Sequence, residues 1–327
     1  MNVTQWLLQS DPALRWQVMQ DLTNEPESEV VAERALVATE GWGARLLALQ
    51  GEDGQWAGGA HFPSSFSFTN VERGEDGRLV SQPWTATSWS LSLLRIFGLD
   101  PAGPEARRSV AMVRENSRWE HAGQRFFEGE VEPCINGLIT TIGSYFGEDV
   151  SGIVDRLLGE QMDDGGWNCD QESGSIRGSF HTTIAVLEGL LEYESRSGPS
   201  STVSAARSRG EEYLLVRRLL RRLSTGEVIN VRWTRFSFPT WWHYDVLRGL
   251  EYLRSAGVTP DERIDDAIAL VEANRSQDGR WPRQNIHHGK VHFEIDGAEG
   301  EPSRWNTLRA LRVLKWAGRS SADAYPV

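Results

Sequence analysis

The chain has 327 residues, 39% hydrophobic and 24% charged, which excludes a fibre, a coiled coil or a disordered tail and allows one large domain or two ordinary ones. A formal net charge of -12 would repel a phosphate backbone, so nucleic acid is not the expected partner. Two cysteines, Cys134 and Cys169, cannot build a disulfide framework and point to a reducing compartment, while 14 Trp and 32 Gly call for a structural explanation. In chain order, the N-terminus MNVTQWLLQSDPALRW has no basic segment ahead of its short apolar run, unlike a signal peptide. PALRWQVMQDL follows as a helix with Asp11 as N-cap and Pro12 in its first turn. Further helices end in a shared phrase: SLSLLRIFG at Gly98, ITTIGSYFG at Gly147, VLEGLLEYES at Ser195, LRGLEYLRSAG at Gly257 and LRALRVLKWAG at Gly318. Glycine after the last turn adopts the left-handed cap that stops a helix. Between these lie EARRSVAMVREN, IVDRLLGEQ, AARSRGEEYLLVRRLLRRL and DERIDDAIALVEAN, which have clear polar faces.

Apolar spacing is helical nearly throughout, so the fold class is all-α. Helices apolar on most faces must be buried on more than one side, and they alternate with amphipathic ones. Two concentric layers satisfy that pattern, and about six inner helices suit a closed α6/α6-like barrel. No stretch approaches the roughly 20 apolar residues of a membrane span. A cytoplasmic location is expected, with peripheral membrane contact open.

The loops joining outer to inner helices carry the most specific signal. Gln50-Gly-Glu-Asp-Gly54-Gln-Trp56 and Gln161-Met-Asp-Asp-Gly165-Gly-Trp167 share one pattern, and Gly279-Arg-Trp281 repeats its second half with Arg275 in place of Gln. Glycine permits the positive φ that leaves the helix, Trp covers the apolar end, and the Gln amide bonds freed backbone groups. Turn chemistry alone accounts for these loops, which identify architecture and not catalysis.

With these loops the chain resembles the terpenoid cyclase and protein prenyltransferase superfamily, whose α/α toroids carry Gln-Trp motifs. The resemblance covers nearly the whole chain as one toroid domain, 1–327. It implies a central apolar or aromatic cavity, with functional groups at the N-terminal ends of the inner helices. Neither the Asp-x-Asp-Asp of class II cyclases nor the Asp-Asp-x-x-Asp of class I cyclases occurs: Asp163-Asp164 lies in a Gln-Trp loop and Asp265-Asp266 on an outer helix. Standard cyclisation is therefore not expected.

The inner helices are expected to start near Trp84, Cys134, His181, His243 and Trp305, where polar and aromatic residues crowd together. Asp245 beside His243 is the candidate acid and base pair, since burial can keep a carboxyl protonated. Cys134 with His181 or His243 offers a nucleophile and its base. The resemblance to prenyltransferases, whose zinc is held by an Asp-x-Cys pair and a His, implies Zn2+ on Glu132, Cys134 and His181, with Glu in place of Asp and Pro133 between the first two. Trp84, Trp242, Tyr244 and Trp305 are candidates to contact an apolar or cationic substrate, and Asn136, Arg304 and Asn306 to orient it. Cys169 is read as structural.

The run Arg217-Arg218-Leu-Leu-Arg221-Arg222 is expected as a solvated face of an outer helix. The Gly-, Ser- and His-rich segments His61 to Gln82 and Gln284 to Ser303 read as lids over the same mouth. The expected function is an enzyme acting on a hydrophobic, isoprenoid-like small molecule by a non-standard acid or metal mechanism. Its alternative is a non-catalytic toroid that binds a lipid or partner. A third reading, a carbohydrate-active α/α barrel using Glu130, Glu132 and Asp245, fits the Gln-Trp loops less well.

Overall fold

The structure is a computed structural model that describes residues 2–69, 71 and 82–319. It is mostly helical: α1 (Val3–Leu8), α2 (Pro12–Val18), α3 (Glu27–Ala35), α4 (Gly41–Leu47), α5 (Thr87–Phe97), α6 (Pro104–Asn116), α7 (Pro133–Phe146), α8 (Ser151–Gly159), α9 (Phe180–Ser197), α10 (Ser201–Leu215), α11 (Val246–Ser255), α12 (Asp265–Ala273) and α13 (Arg304–Trp316). Two short strands, β1 (Trp281–Pro282) and β2 (Pro302–Ser303), pair antiparallel. Among the described residues no helix is long and apolar enough to cross a membrane.

The helix signals act as read. Asp11 caps α2 by accepting from the Ala13 amide at 2.9 Å, and Pro12 opens the helix. Gly98 and Gly147 take left-handed caps at φ 88° and 80°. One helix overruns its expected end, because α9 continues past Ser195 to Ser197 and stops at Gly198.

Burial alternates along the chain. Eleven of fourteen α7 residues are buried against three of nine in α8, and seven of ten in α11 against three of nine in α12. The heavily buried helices touch one another in sequence order. Trp16 and Gln17 of α2 donate to the carbonyls of Phe97 and Ile96 at the end of α5, at 2.8 and 3.0 Å. α7 and α9 meet backbone to backbone: a Cβ on Gly137 would lie 2.6 Å from the Ala185 backbone, and one on Gly189 2.5 Å from the Gly137 carbonyl. Arg248 of α11 pairs with Glu188 of α9 at 2.6 Å, and Arg309 of α13 with Glu251 of α11 at 2.6 Å. Arg312 of α13 donates to Gln17 of α2 at 2.9 Å.

These ion pairs correct the reading of the inner helices as apolar on most faces. Arg95 with Glu192, Arg248 with Glu188 and Arg309 with Glu251 each join two of the more buried helices. Burial pushes the Glu251 carboxyl up, but Arg309, Arg312 and Arg254 outweigh it and hold it below the ordinary glutamate value.

The basic run is a second correction. α10 ends at Leu215, and Arg218 and Leu219 take positive φ of 46° and 62°, so the run lies on turns and not on a helix face. The turns carry Leu219 and Leu220 into the core, at 0% and 1% exposure. Arg217 and Arg221 bond Asp164 and Asp266 at 3.3 and 2.5 Å.

Candidate functional site

The helices read as inner begin at Thr87, Pro133, Phe180, Val246 and Arg304, within three residues of the expected positions. Several of their polar groups are used by the fold. Thr87, Thr183 and Thr307, all fully buried, accept from the backbone amides of Trp56, Trp167 and Trp281 at 3.2, 3.0 and 3.0 Å. The three indoles donate to the carbonyls of Leu46, Leu157 and Val271 in the preceding helices, each ten residues back. Gln50 and Gln161 each bridge their own loop glycine carbonyl to the next outer helix, at Ser109 and Ala206. Each loop thus ties the helix before it to the first turn of the helix after it.

What remains at these starts is an aromatic and imidazole assembly. Trp242, His243 and His287 stack face to face, with centroid separations of 3.7 and 3.5 Å. Trp84 stacks on Trp241 at 5.0 Å, and Trp89 meets both edge-on. His181 packs edge-on against Trp242 and His243, and its Nδ1 accepts from the Tyr244 amide at 2.8 Å. Trp241 holds a φ of 50°, a conformation that strains a bulky residue. Arg248 supports that turn by donating to the carbonyls of Trp241 and His243 at 3.0 and 2.8 Å.

Residues 287–292 of the segment 284–303 lie against this assembly. The Gln82 and Trp84 amides donate to the His288 and Lys290 carbonyls, and the Trp84 indole to the His287 carbonyl. His292 bonds the Ser90 hydroxyl at 2.9 Å. Of the other expected lid, residues 70 and 72–81 lie outside the described residues.

Burial holds the imidazoles of His243, His287 and His61 below the ordinary histidine value. Burial, reinforced by Arg248, Arg283 and His288, brings His287 down to about 4. Burial, with the neighbouring His287, His181 and Arg248, pushes His243 down further, and its buried Nδ1 has no hydrogen-bond partner among the described residues. His61, bonded to Ser88 at 2.9 Å beneath Trp89, falls to about 3 through burial.

Other expected site residues take structural positions. Asp245, 2% exposed, accepts from the Arg248 amide at 2.8 Å and from the Ser237 amide and hydroxyl at 3.1 and 3.0 Å. Its carboxylate is thereby an N-cap filled by three donors. Tyr244 is buried and donates to the Leu219 carbonyl, while Trp305 donates to the Ile295 carbonyl and stacks on Phe238. Asn136 is bonded to the Glu130 backbone through both its amide atoms, and Asn306 donates to the carbonyls of Phe236 and Pro282. Arg304 lines a cleft of about 670 Å3 with Trp6, Asp11, Trp42, Arg280 and Asp296.

The chain matches no protein-family model and no curated protein. The chemistry rests on its own residues.

The cysteines are nearer to each other than the sequence reading placed them. Among the described residues, the one group able to offer metal ligands is Glu132, Cys134 and Cys169, whose ligand atoms all lie within 4.8 Å of one another. Cys169 therefore stands beside Cys134 and Glu132, where His181 was expected. The neighbouring sulfur lowers the Cys169 thiol and raises that of Cys134, which burial and Glu132 raise further.

Sequence reasoning missed His287, Ser237 and Arg248. The pair His287-His288 within a His-rich segment was the available signal for the first.

Proposed function

We propose that the chain is one α/α toroid domain similar to those of the terpenoid cyclases and protein prenyltransferases. In this reading it acts on an apolar, isoprenoid-like small molecule at the aromatic and imidazole surface by the starts of α5, α9 and α11. Alternating burial, the contact between α13 and α2, and the three Trp loops support the toroid. The Trp242, His243 and His287 stack carries the functional part. Ring faces suit an apolar or cationic chain. Neutral imidazoles accept protons, and a weak base is sufficient for a C–H beside a carbocation, which is strongly acidic. The cation arises when a prenyl diphosphate breaks its C–O bond and loses diphosphate; the proton then passes to nitrogen, and the electron pair of the C–H bond becomes the new alkene.

Asp245 favours a second reading, a non-catalytic carrier, because its carboxylate already accepts three hydrogen bonds and is not placed as a proton donor. One experiment separates the two. The full chain is titrated with squalene, farnesyl diphosphate and geranylgeranyl diphosphate while tryptophan emission is followed, and extracts are analysed by gas chromatography and mass spectrometry. Quenching with new products, both lost in His243→Ala, supports the enzyme. Quenching without products supports the carrier. No quenching by any of the three, or quenching unchanged in Trp242→Ala, refutes the site.

A further inference from the structure

We propose that Glu132, Cys134 and Cys169 form a binding site for one thiophilic divalent cation of the zinc type, with its fourth position open. The inference rests on these three side chains alone and not on the aromatic site or its ligand. Ligands about 2.3 Å from a tetrahedral ion stand about 3.8 Å apart. The three ligand atoms lie within 4.8 Å of one another, and Glu132 Oε2 is already 3.5 Å from Cys134 Sγ, so closing on an ion needs only side-chain adjustment. Two sulfurs and one carboxylate select a soft or borderline cation over calcium or magnesium, which take oxygen alone. Glu132 is exposed and both cysteines are half-buried, so the fourth position faces solvent.

Both loops that carry the ligands are fixed by their own hydrogen bonds. On the first, the Glu130 carboxylate accepts from the Val131 and Glu132 amides at 2.5 and 2.9 Å, and the buried Asn136 side chain bonds the Glu130 backbone on both sides. On the second, Asn168 donates to the Arg177 carbonyl at 2.8 Å, and Thr182 Oγ1 sits 3.4 Å from Cys169 Sγ. Such outer contacts orient ligands before the ion arrives. A disulfide would use the same two sulfurs and exclude the ion, so the test must separate them.

The full chain is purified under reducing conditions, loaded with Zn2+, desalted and analysed for metal, and Co2+ is substituted to read sulfur-to-metal charge transfer. The site predicts about one ion per chain, a charge-transfer band, and a melting temperature that rises with Zn2+. Cys134→Ser and Cys169→Ser each weaken binding at least tenfold and reduce the band, whereas His181→Ala retains both. Circular dichroism checks that the serine variants fold. Metal absent from the reduced, reloaded wild type overturns the proposal, as does metal retained by the Cys134→Ser/Cys169→Ser double variant. Metal lost in His181→Ala but kept in Cys169→Ser overturns this ligand set.

Discussion

His287 is predicted to make the fold sensitive to mild acid. Ser237 has one hydroxyl proton and donates it to Asp245 at 3.0 Å, so His287 Nε2, 3.1 Å from the same oxygen, is the donor in that contact. A second proton on Nδ1 would bring charge into a buried place that also faces Arg248, Arg283, His288 and the His243 ring. The folded value of about 4 stands below the ordinary 6.5, so the folded state resists a proton that the unfolded chain accepts. The sign follows: nothing is lost above 6.5, stability falls as pH drops from 6.5 to about 4, and the loss then levels off. At 1.36 kcal/mol per unit, the full loss is about 3 kcal/mol, and roughly 2–3 kcal/mol of it is reached by about pH 4.5. Urea unfolding of the wild type and His287→Gln at about pH 7.5 and about pH 4.5 isolates this part, because other groups titrate in both proteins. The wild type is expected to lose roughly 2–3 kcal/mol more than the variant. Equal losses, or a histidine-labelled NMR titration in which His287 takes its proton near the ordinary value, would refute the burial argument and with it the neutral imidazole at the site.

Two further predictions concern the frame around the site. Thr183→Val removes the oxygen that accepts the buried Trp167 amide, and urea unfolding should show a loss of about 1–3 kcal/mol that Thr183→Ser largely avoids; a loss as small as that of a surface substitution would show the loop is not stapled there. Arg309→Met removes the 2.6 Å partner of Glu251 but leaves Arg312 at 3.9 Å, so urea unfolding should show a loss of about 1–3 kcal/mol, part of it recovered in Arg309→Met/Glu251→Gln; a double variant no more stable than the single would argue against a charge left short of its partner.

The helices were legible because their signals are local. Asp11 and Pro12 open α2, and Gly98 and Gly147 close α5 and α7, each through the conformation of one or two residues, whereas the end of α9 was read at Ser195, two residues early. The Trp loops were legible for the same reason. Their second half was not, since Thr87, Thr183 and Thr307 bond tryptophans 31, 16 and 26 positions away. Read alone, a threonine at a helix start looks like any polar group at a mouth. The charges inside the inner helices show the same limit: Glu188, Arg248, Glu251 and Arg309 stand within apolar phrases, and only the facing helix reveals that each has a partner.

The candidate site lies further from local rules, and the two cysteines show why. Cys134 was singled out because it opens an inner helix, and Cys169 was set aside because it follows a Trp loop. That loop is nonetheless what brings them together. The Trp167 amide is fixed to Thr183 in the first turn of α9, which carries Cys169 two residues on to the neighbouring Thr182 at 3.4 Å. α7 lies against α9 at the glycine contact of Gly137 and Gly189, and so brings Cys134 to the same point. The position of Cys169 is therefore a consequence of the architectural staple. It follows that Thr183→Val should disturb the thiol pair as well as the fold: if the staple positions Cys169, the reactivity of the two thiols changes in that variant even under conditions where it remains folded. Unchanged thiol kinetics would show that Thr182 and the Asn168 turn hold the sulfur without it.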